Sequence, residues 1–171
     1  MADGGGFMTD FVPGPDTGRL FRDALGQFAT GVTVVTTRGP DGPMAIVANS
    51  FASVSLDPAL VLWSPAKASR RFPIFAEAKH YAIHVLSEAQ QELCGRFGKD
   101  GGNFDGLDWA ESADGVPLLE GSLARFECEL EASHDAGDHV ILVGRVMAAR
   151  LGTGAPLLFS AGNYGRFTEA G

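Results

Sequence analysis

Apolar residues along the chain recur with two periods, and the shorter one dominates. Over Thr17–Thr30, Leu20, Phe21, Ala24, Leu25 and Phe28 fall at helical spacing behind a possible cap at Asp16 or Thr17, and Gly31 ends the run. Val32–Thr37 is β-branched throughout and predicts a strand. Gly39-Pro40-Asp41-Gly42 has turn chemistry, and Met44–Phe51 returns as the second strand of a hairpin. Ser53–Pro58 reads as a polar bend and Ala59–Trp63 as a short strand buried on both faces. Ala68–Lys79 predicts a helix, with Pro73 tolerated only near its start. Tyr81–Leu86 alternates as a strand, Ser87 caps a helix from Glu88 to about Phe97, and Gly98–Gly106 is a glycine-containing loop.

Over Ser122–Ser133, Leu123, Arg125, Glu127, Glu129 and Glu131 alternate against Ala124, Phe126, Cys128, Leu130 and Ala132. This predicts a long strand with one mostly polar and one apolar face. His134–His139 is its turn, Val140–Leu151 its antiparallel partner, and Pro156–Ser160 and Asn163–Phe167 are short closing strands. Many antiparallel strands with few helices predict a mainly β (α+β) fold, a small antiparallel barrel. There is no internal repeat and no interdomain linker. Residues 1–15 read as a flexible tail on composition and 16–171 as one domain.

Composition narrows the function. At 171 residues, 45% hydrophobic and 20% charged, the chain can build one core. No apolar run approaches the ~20 residues of a membrane-spanning helix, so no membrane association is expected. Met1–Phe11 has neither the basic start nor the apolar segment of a secretion signal. A net charge of −8 argues against nucleic acid, whose binders carry a basic face. Cys94 and Cys128 form no CxxC pair and read as two buried thiols in a reducing cytoplasm.

Several chemistries are missing from the sequence: GxGxxG after a strand, the GxxxxGK[ST] phosphate loop and the GxSxG nucleophile elbow. His80 and His84 are four apart, but on a strand that separates them by ~13 Å, so no metal site is expected there. The segment His134-Asp135-Ala136-Gly137-Asp138-His139 suits a metal loop, a ligand-contacting turn or a plain hairpin, and turn chemistry alone favours the hairpin. Lys67-Ala68-Ser69-Arg70-Arg71 is the densest basic cluster, at a strand-to-helix boundary where free N–H groups would favour phosphate. A solvated basic turn explains it equally well. Ala48–Pro58 carries small and hydroxyl residues that let a planar ligand approach the backbone, and it also describes a surface bend.

Taken in order, these segments resemble the flavin reductase family, the small components that supply reduced flavin to two-component monooxygenases. The likeness runs from about Phe21 to Phe167. It is carried by Phe28-Ala29-Thr30-Gly31-Val32-Thr33-Val34-Val35-Thr36-Thr37, by Ala48-Asn49-Ser50-Phe51 through Ser53-Val54-Ser55-Leu56-Asp57-Pro58, and by Gly137-Asp138-His139 with Gly144-Arg145-Val146. Pro156-Leu157-Leu158-Phe159 and Gly162-Asn163-Tyr164 complete it.

The resemblance implies a split β-barrel with flanking helices, a homodimer with flavin near the subunit interface, FMN or FAD as the flavin, and NADH or NADPH as the reductant. It implies that Ala48, Asn49, Ser50, Phe51, Ser53 and Ser55 meet the isoalloxazine and that Lys67 and Ser69 bind the flavin phosphate. His139 would lie by the nicotinamide with Asp138 in support, and Tyr164 close to the active site. Where many relatives carry Asp-Arg-Phe, this chain has Gly102-Asn103-Phe104, which keeps Phe104 as a ring contact. Two rivals share the barrel: a pyridoxamine-phosphate oxidase relative, which should be richer in basic residues, and a non-catalytic flavin- or haem-binding protein with His84 or His134 as haem ligand.

Overall fold

A computed structural model describes residues 8–169. Part of the expected tail, residues 1–7, lies outside them, and residues 8–14 carry no helix or strand. After a single 3-10 turn the elements are α1 (Gly18–Gly26), β1 (Thr30–Gly31), β2 (Thr33–Gly39), β3 (Gly42–Ala48), β4 (Ala52–Leu56), β5 (Ala59–Trp63), α2 (Phe72–Glu77) and β6 (His80–Val85). Then follow α3 (Gln91–Lys99), β7 (Trp109–Glu111), β8 (Pro117–Leu119), β9 (Ala124–Ala136), β10 (His139–Leu151), β11 (Leu157–Ser160) and β12 (Asn163–Arg166).

The main sheet has seven antiparallel strands in the order β3-β2-β6-β9-β10-β5-β4. Its two edge strands, β3 and β4, are consecutive in the chain and joined only by Asn49-Ser50-Phe51. Such a link spans at most about 14 Å. The sheet therefore curls until its edges face each other across a seam that this link crosses. That is the split barrel the resemblance implied.

Strand alternation sorts the core into two layers. Val35 on β2, Tyr81 and Ile83 on β6, Trp63 on β5, Cys128 on β9 and Leu142 on β10 form one buried cluster, with Met44, Ile46 and Ala48 of β3 packed against it. Val34, Ala45 and Val47 carry the opposite parity and meet Leu93, Cys94 and Phe97 of α3. At Gly144 a side chain would collide with the Tyr81 hydroxyl and with Cβ of Cys128, so glycine is required where β10 crosses Tyr81.

Several expectations change. Helix α1 stops at Gly26 and buries none of its residues; Leu25 remains 58% exposed. Ser53–Leu56 is not a bend but most of β4, because it pairs with β5. Strand β5 is buried at Val61 and Trp63 but exposed at Ala59, since only one of its faces looks into the core. The helix expected over Ala68–Lys79 shrinks to Phe72–Glu77, with Pro73 in its first turn where its missing N–H costs nothing. The long hairpin continues to Ala136 and resumes at His139, leaving only Gly137 and Asp138 as the turn. Gly137 supplies the positive φ of 70° that such a tight turn needs at its first position. The hairpin β7–β8 was not foreseen.

Candidate functional site

One stretch of chain, Ser64–Arg71, ties the candidate segments together. At its start, the Ser64 N–H donates to the Ser50 hydroxyl at 2.9 Å, which fastens the seam-crossing link to the end of β5. Next, the Val140 N–H donates to the Pro65 carbonyl at 3.2 Å, Ala66 bridges His139, and the Lys67 N–H donates to the Asp138 carbonyl at 2.9 Å. The β9–β10 turn is thereby stitched to the same stretch. Its last four residues, Ala68, Ser69, Arg70 and Arg71, line a cavity of about 530 Å³.

The other walls of that cavity are Met44, Ile46 and Val47 of β3, and Gly98–Gly101 at the end of α3. Arg71 builds the corner: its guanidinium donates to the carbonyls of Ala45 (3.2 Å), Phe97 (2.5 Å) and Gly98 (3.3 Å). Arg70 and Lys99 bring positive charge to the lining. A smaller cavity of about 200 Å³ adjoins it through Val47 and is lined by Val32, Ala48, Asn49, Phe159 and Tyr164.

The turn residues are ordered by one another. His139 Nδ1 lies 2.7 Å from Asp138 Oδ1. A carboxylate only accepts, so Nδ1 carries the proton and Nε2 is left for a ligand. The bond from His139 holds the Asp138 carboxyl below its usual range. Tyr164 lies 5.3 Å from Phe159, ring centre to ring centre. Burial, then a hydrogen bond with Cys94, raises its pKa.

The structure brings Ala48, Asn49 and Tyr164 to one cavity and Ser69 to the other. Ser50 reaches neither cavity lining; its hydroxyl is occupied by Ser64, which makes it a fastener. Phe51 stacks on Phe126 with ring centres 5.6 Å apart, and Ser53 stands exposed on β4 with Ser55 half-buried beside it. Two further candidates lie apart from both cavities. Phe104 is 5% exposed, packed between Phe97 and Trp109, so its ring belongs to the core and lines neither cavity. Lys67 does not line the cavity, because its ammonium is bonded to Asp135 and to the Gly137 carbonyl. The phosphate-favouring helix start expected at Lys67–Arg71 is also displaced, since α2 begins only at Phe72.

Sequence reasoning missed Arg71 as the corner of the cavity, and Lys99 and Gly101 as lining. Only the density of basic residues pointed to Arg71, and nothing local revealed its three carbonyl partners. Among the histidines, His84 is fully buried: Nδ1 meets the Val34 carbonyl at 3.1 Å and Nε2 accepts from the Leu119 N–H at 3.0 Å. Burial pushes its pKa down to about 4. Both ring nitrogens are spent, so His84 is closed to a haem iron.

The family model described as "Flavin reductase like domain" matches residues 25–168. The chain is 59% identical over 159 residues to "FMN reductase (NADH) SmoA" of Agrobacterium fabrum, covering 93% of this chain and 91% of that one. It is 45% identical over 148 residues to the reductase subunit HsaB of a flavin-dependent monooxygenase from Rhodococcus jostii, covering 85% of this chain and 76% of that one. Among solved structures, the NADH:FAD oxidoreductase SgcE6 of Streptomyces globisporus, in complex with NAD and FAD fragments, superposes with a TM-score of 0.85 at 34% identity. That match covers 93% of this chain and 98% of the other.

Proposed function

The chain belongs to the flavin reductase family, and from that membership we propose that it is an NADH-dependent flavin reductase that hands reduced flavin to a separate oxygenase. The observation that carries the site assignment is the Ser64–Arg71 stretch, which joins a ligand-sized cavity, the seam link and the His139 turn into one unit. About 530 Å³ suits a flavin, since small-molecule pockets run from ~300 to ~1,000 Å³. The apolar wall of Met44, Ile46 and Val47 suits a planar ring, and Ser69, Arg70 and Lys99 suit its phosphate.

A flavin held there would supply the hydride acceptor, and the residues around it would have to align it with the nicotinamide. The protein's task is to bind and align, and no side chain needs to move a proton for that transfer. His139, oriented through Asp138, presents Nε2 to the carboxamide of the nicotinamide. Ala48 and Asn49 bring the backbone close to the ring edge, and Tyr164 closes the neighbouring cavity.

The 59% identical relative, named for FMN and NADH, favours that pair over FAD and NADPH. We also propose a homodimer. Leu20, Phe21 and Leu25 of α1, with Phe28, Tyr164 and Phe167, leave apolar side chains exposed, Tyr164 among them lining the small cavity, and a second copy would cover them. Sedimentation giving a monomer at micromolar concentration would overturn that reading. Among the described residues no helix is long and apolar enough to cross a membrane. Two free, buried cysteines support a cytoplasmic setting.

The test is to mix purified protein with FMN and NADH in air and follow absorbance at the nicotinamide band, then repeat with FAD, NADPH and His139→Ala. Loss of NADH that depends on added flavin, and weakens in the variant, supports the assignment. Tight flavin binding without turnover for any pair would make this a binding module instead.

A further inference from the structure

The Lys67 ammonium makes two short contacts, both to the β9–β10 hairpin: 2.7 Å to Asp135 Oδ1 and 2.6 Å to the Gly137 carbonyl oxygen. Its backbone N–H adds a third at the Asp138 carbonyl, 2.9 Å away. One residue thus grips the next-to-last residue of β9, the first turn residue and the second. His139 is the next residue along. The Asp135 side chain is 78% exposed, and an ion pair in such a setting adds little to stability. What these contacts do achieve is geometric. They hold a two-residue turn, pivoting on a glycine of positive φ, against the stretch whose next four residues line the main cavity.

We infer that Lys67 is a positioning residue for His139, fixing the turn so that NADH is met correctly, and is not a ligand of the flavin phosphate. The inference rests on the proposed reading of His139 as the nicotinamide contact. Lysine fits this task because a compact ammonium on a flexible stem can serve a carboxylate and a carbonyl that do not lie in one plane, whereas the planar fork of arginine cannot. The bond from Lys67 holds the Asp135 carboxyl below its ordinary range, consistent with a persistent contact.

The experiment compares Lys67→Met, Asp135→Asn, the double variant, His139→Ala and the Lys67→Met/His139→Ala pair with the parent. FMN affinity is read from flavin fluorescence, KM for NADH from steady-state kinetics and Tm from thermal unfolding. Lys67→Met should raise KM for NADH roughly 5- to 20-fold while FMN affinity stays within about twofold, the split expected when one substrate's contact is displaced. Asp135→Asn should shift KM the same way, and the double variant should be no worse than Lys67→Met, because the two residues act as one unit. In the His139→Ala background the Lys67→Met effect should vanish. Weakened FMN binding with KM for NADH unchanged would make Lys67 a phosphate ligand and overturn the inference, as would unchanged values of both. If His139→Ala itself leaves KM for NADH unchanged, the reading of His139 fails. If His139→Ala raises KM and Lys67→Met does not, only the role of Lys67 falls.

Discussion

Ala45 donates its backbone N–H to the Gly101 carbonyl at 2.8 Å, an approach that leaves no room for a side chain on Gly101. A β-carbon there would run into the Ala45 carbonyl oxygen, Met44 Sδ (2.7 Å) and Arg71 Nε (2.9 Å). Backbone cannot yield as a flexible side chain can, so the loop after α3 must back away from β3. Gly101→Ala should therefore cost about 1–3 kcal/mol, as overpacking commonly does. It should also weaken FMN binding by opening the cavity wall. Denaturant unfolding and flavin titration read both, and a variant within about 0.5 kcal/mol of the parent would show that the contact is not rigid.

Arg71 holds the same corner by its side chain. Its three carbonyl partners belong to β3 and to the end of α3, where helix carbonyls lack partners of their own. Arg71→Lys keeps the charge but cannot span three acceptors from one planar group. Hydrogen bonds to a charged group are worth about 1.5–3 kcal/mol net, so both Arg71→Lys and Arg71→Met should lose roughly 2 kcal/mol. Full recovery of stability by lysine would mean that charge alone matters at this corner.

His84 makes stability depend on pH in a defined window. Its folded pKa, about 4, lies below the ordinary 6.5. The unfolded chain therefore binds the proton first, and stability is held above pH 6.5 and lost as pH falls toward 4. From pH 7 to pH 5 the loss from this one group is about 2 kcal/mol. Urea unfolding at the two pH values should show a drop, and His84→Gln should flatten it. An equal slope in the variant would remove His84 as the cause.

Both thiols should be silent in the native protein. Burial pushes Cys128 up to about 12 and raises Cys94 as well, which leaves little thiolate at pH 8. A disulfide reagent should label neither cysteine within minutes in buffer and both in denaturant. One fast equivalent in buffer would reveal an opening at α3 or in the barrel.

What could be read from the residues alone follows from range. Val34 and Val35 sit side by side on β2, yet face different core layers, and the β-branched run they belong to was enough to read their strand. The polar stretch Ser53–Leu56 was misread because its strand character comes from pairing with β5, not from its own propensity. The helix over Ala68–Lys79 was overextended because Ala68–Arg71 are taken up by two turns, with the Ser69 N–H donating to the Ala66 carbonyl and the Phe72 N–H to the Ser69 carbonyl, before α2 starts at Phe72. In the site, the small residues at Ala48 and Asn49 were visible, whereas their place at the barrel seam follows only from strand order. Phe104 looked like a ring contact until Phe97 and Trp109 closed over it.

Ser50 is the point where that seam can be tested. The link Asn49-Ser50-Phe51 has no ladder bonds to either edge strand, and its tie to the barrel wall is the pair formed with Ser64: N–H to hydroxyl at 2.9 Å and hydroxyl to carbonyl at 3.3 Å. Ser50→Ala removes both and leaves the Ser64 N–H without its acceptor, at a cost of about 1 kcal/mol. The larger effect should fall on binding, because Ala48 and Asn49 line the small cavity and lose their anchor. Flavin affinity should drop several-fold while KM for NADH, governed from the other side by the His139 turn, moves less. Ser50→Thr keeps the hydroxyl and should restore much of the affinity. If Ser50→Ala binds FMN as tightly as the parent, the seam is held by the packing of Phe51 on Phe126, and the hydroxyl is incidental.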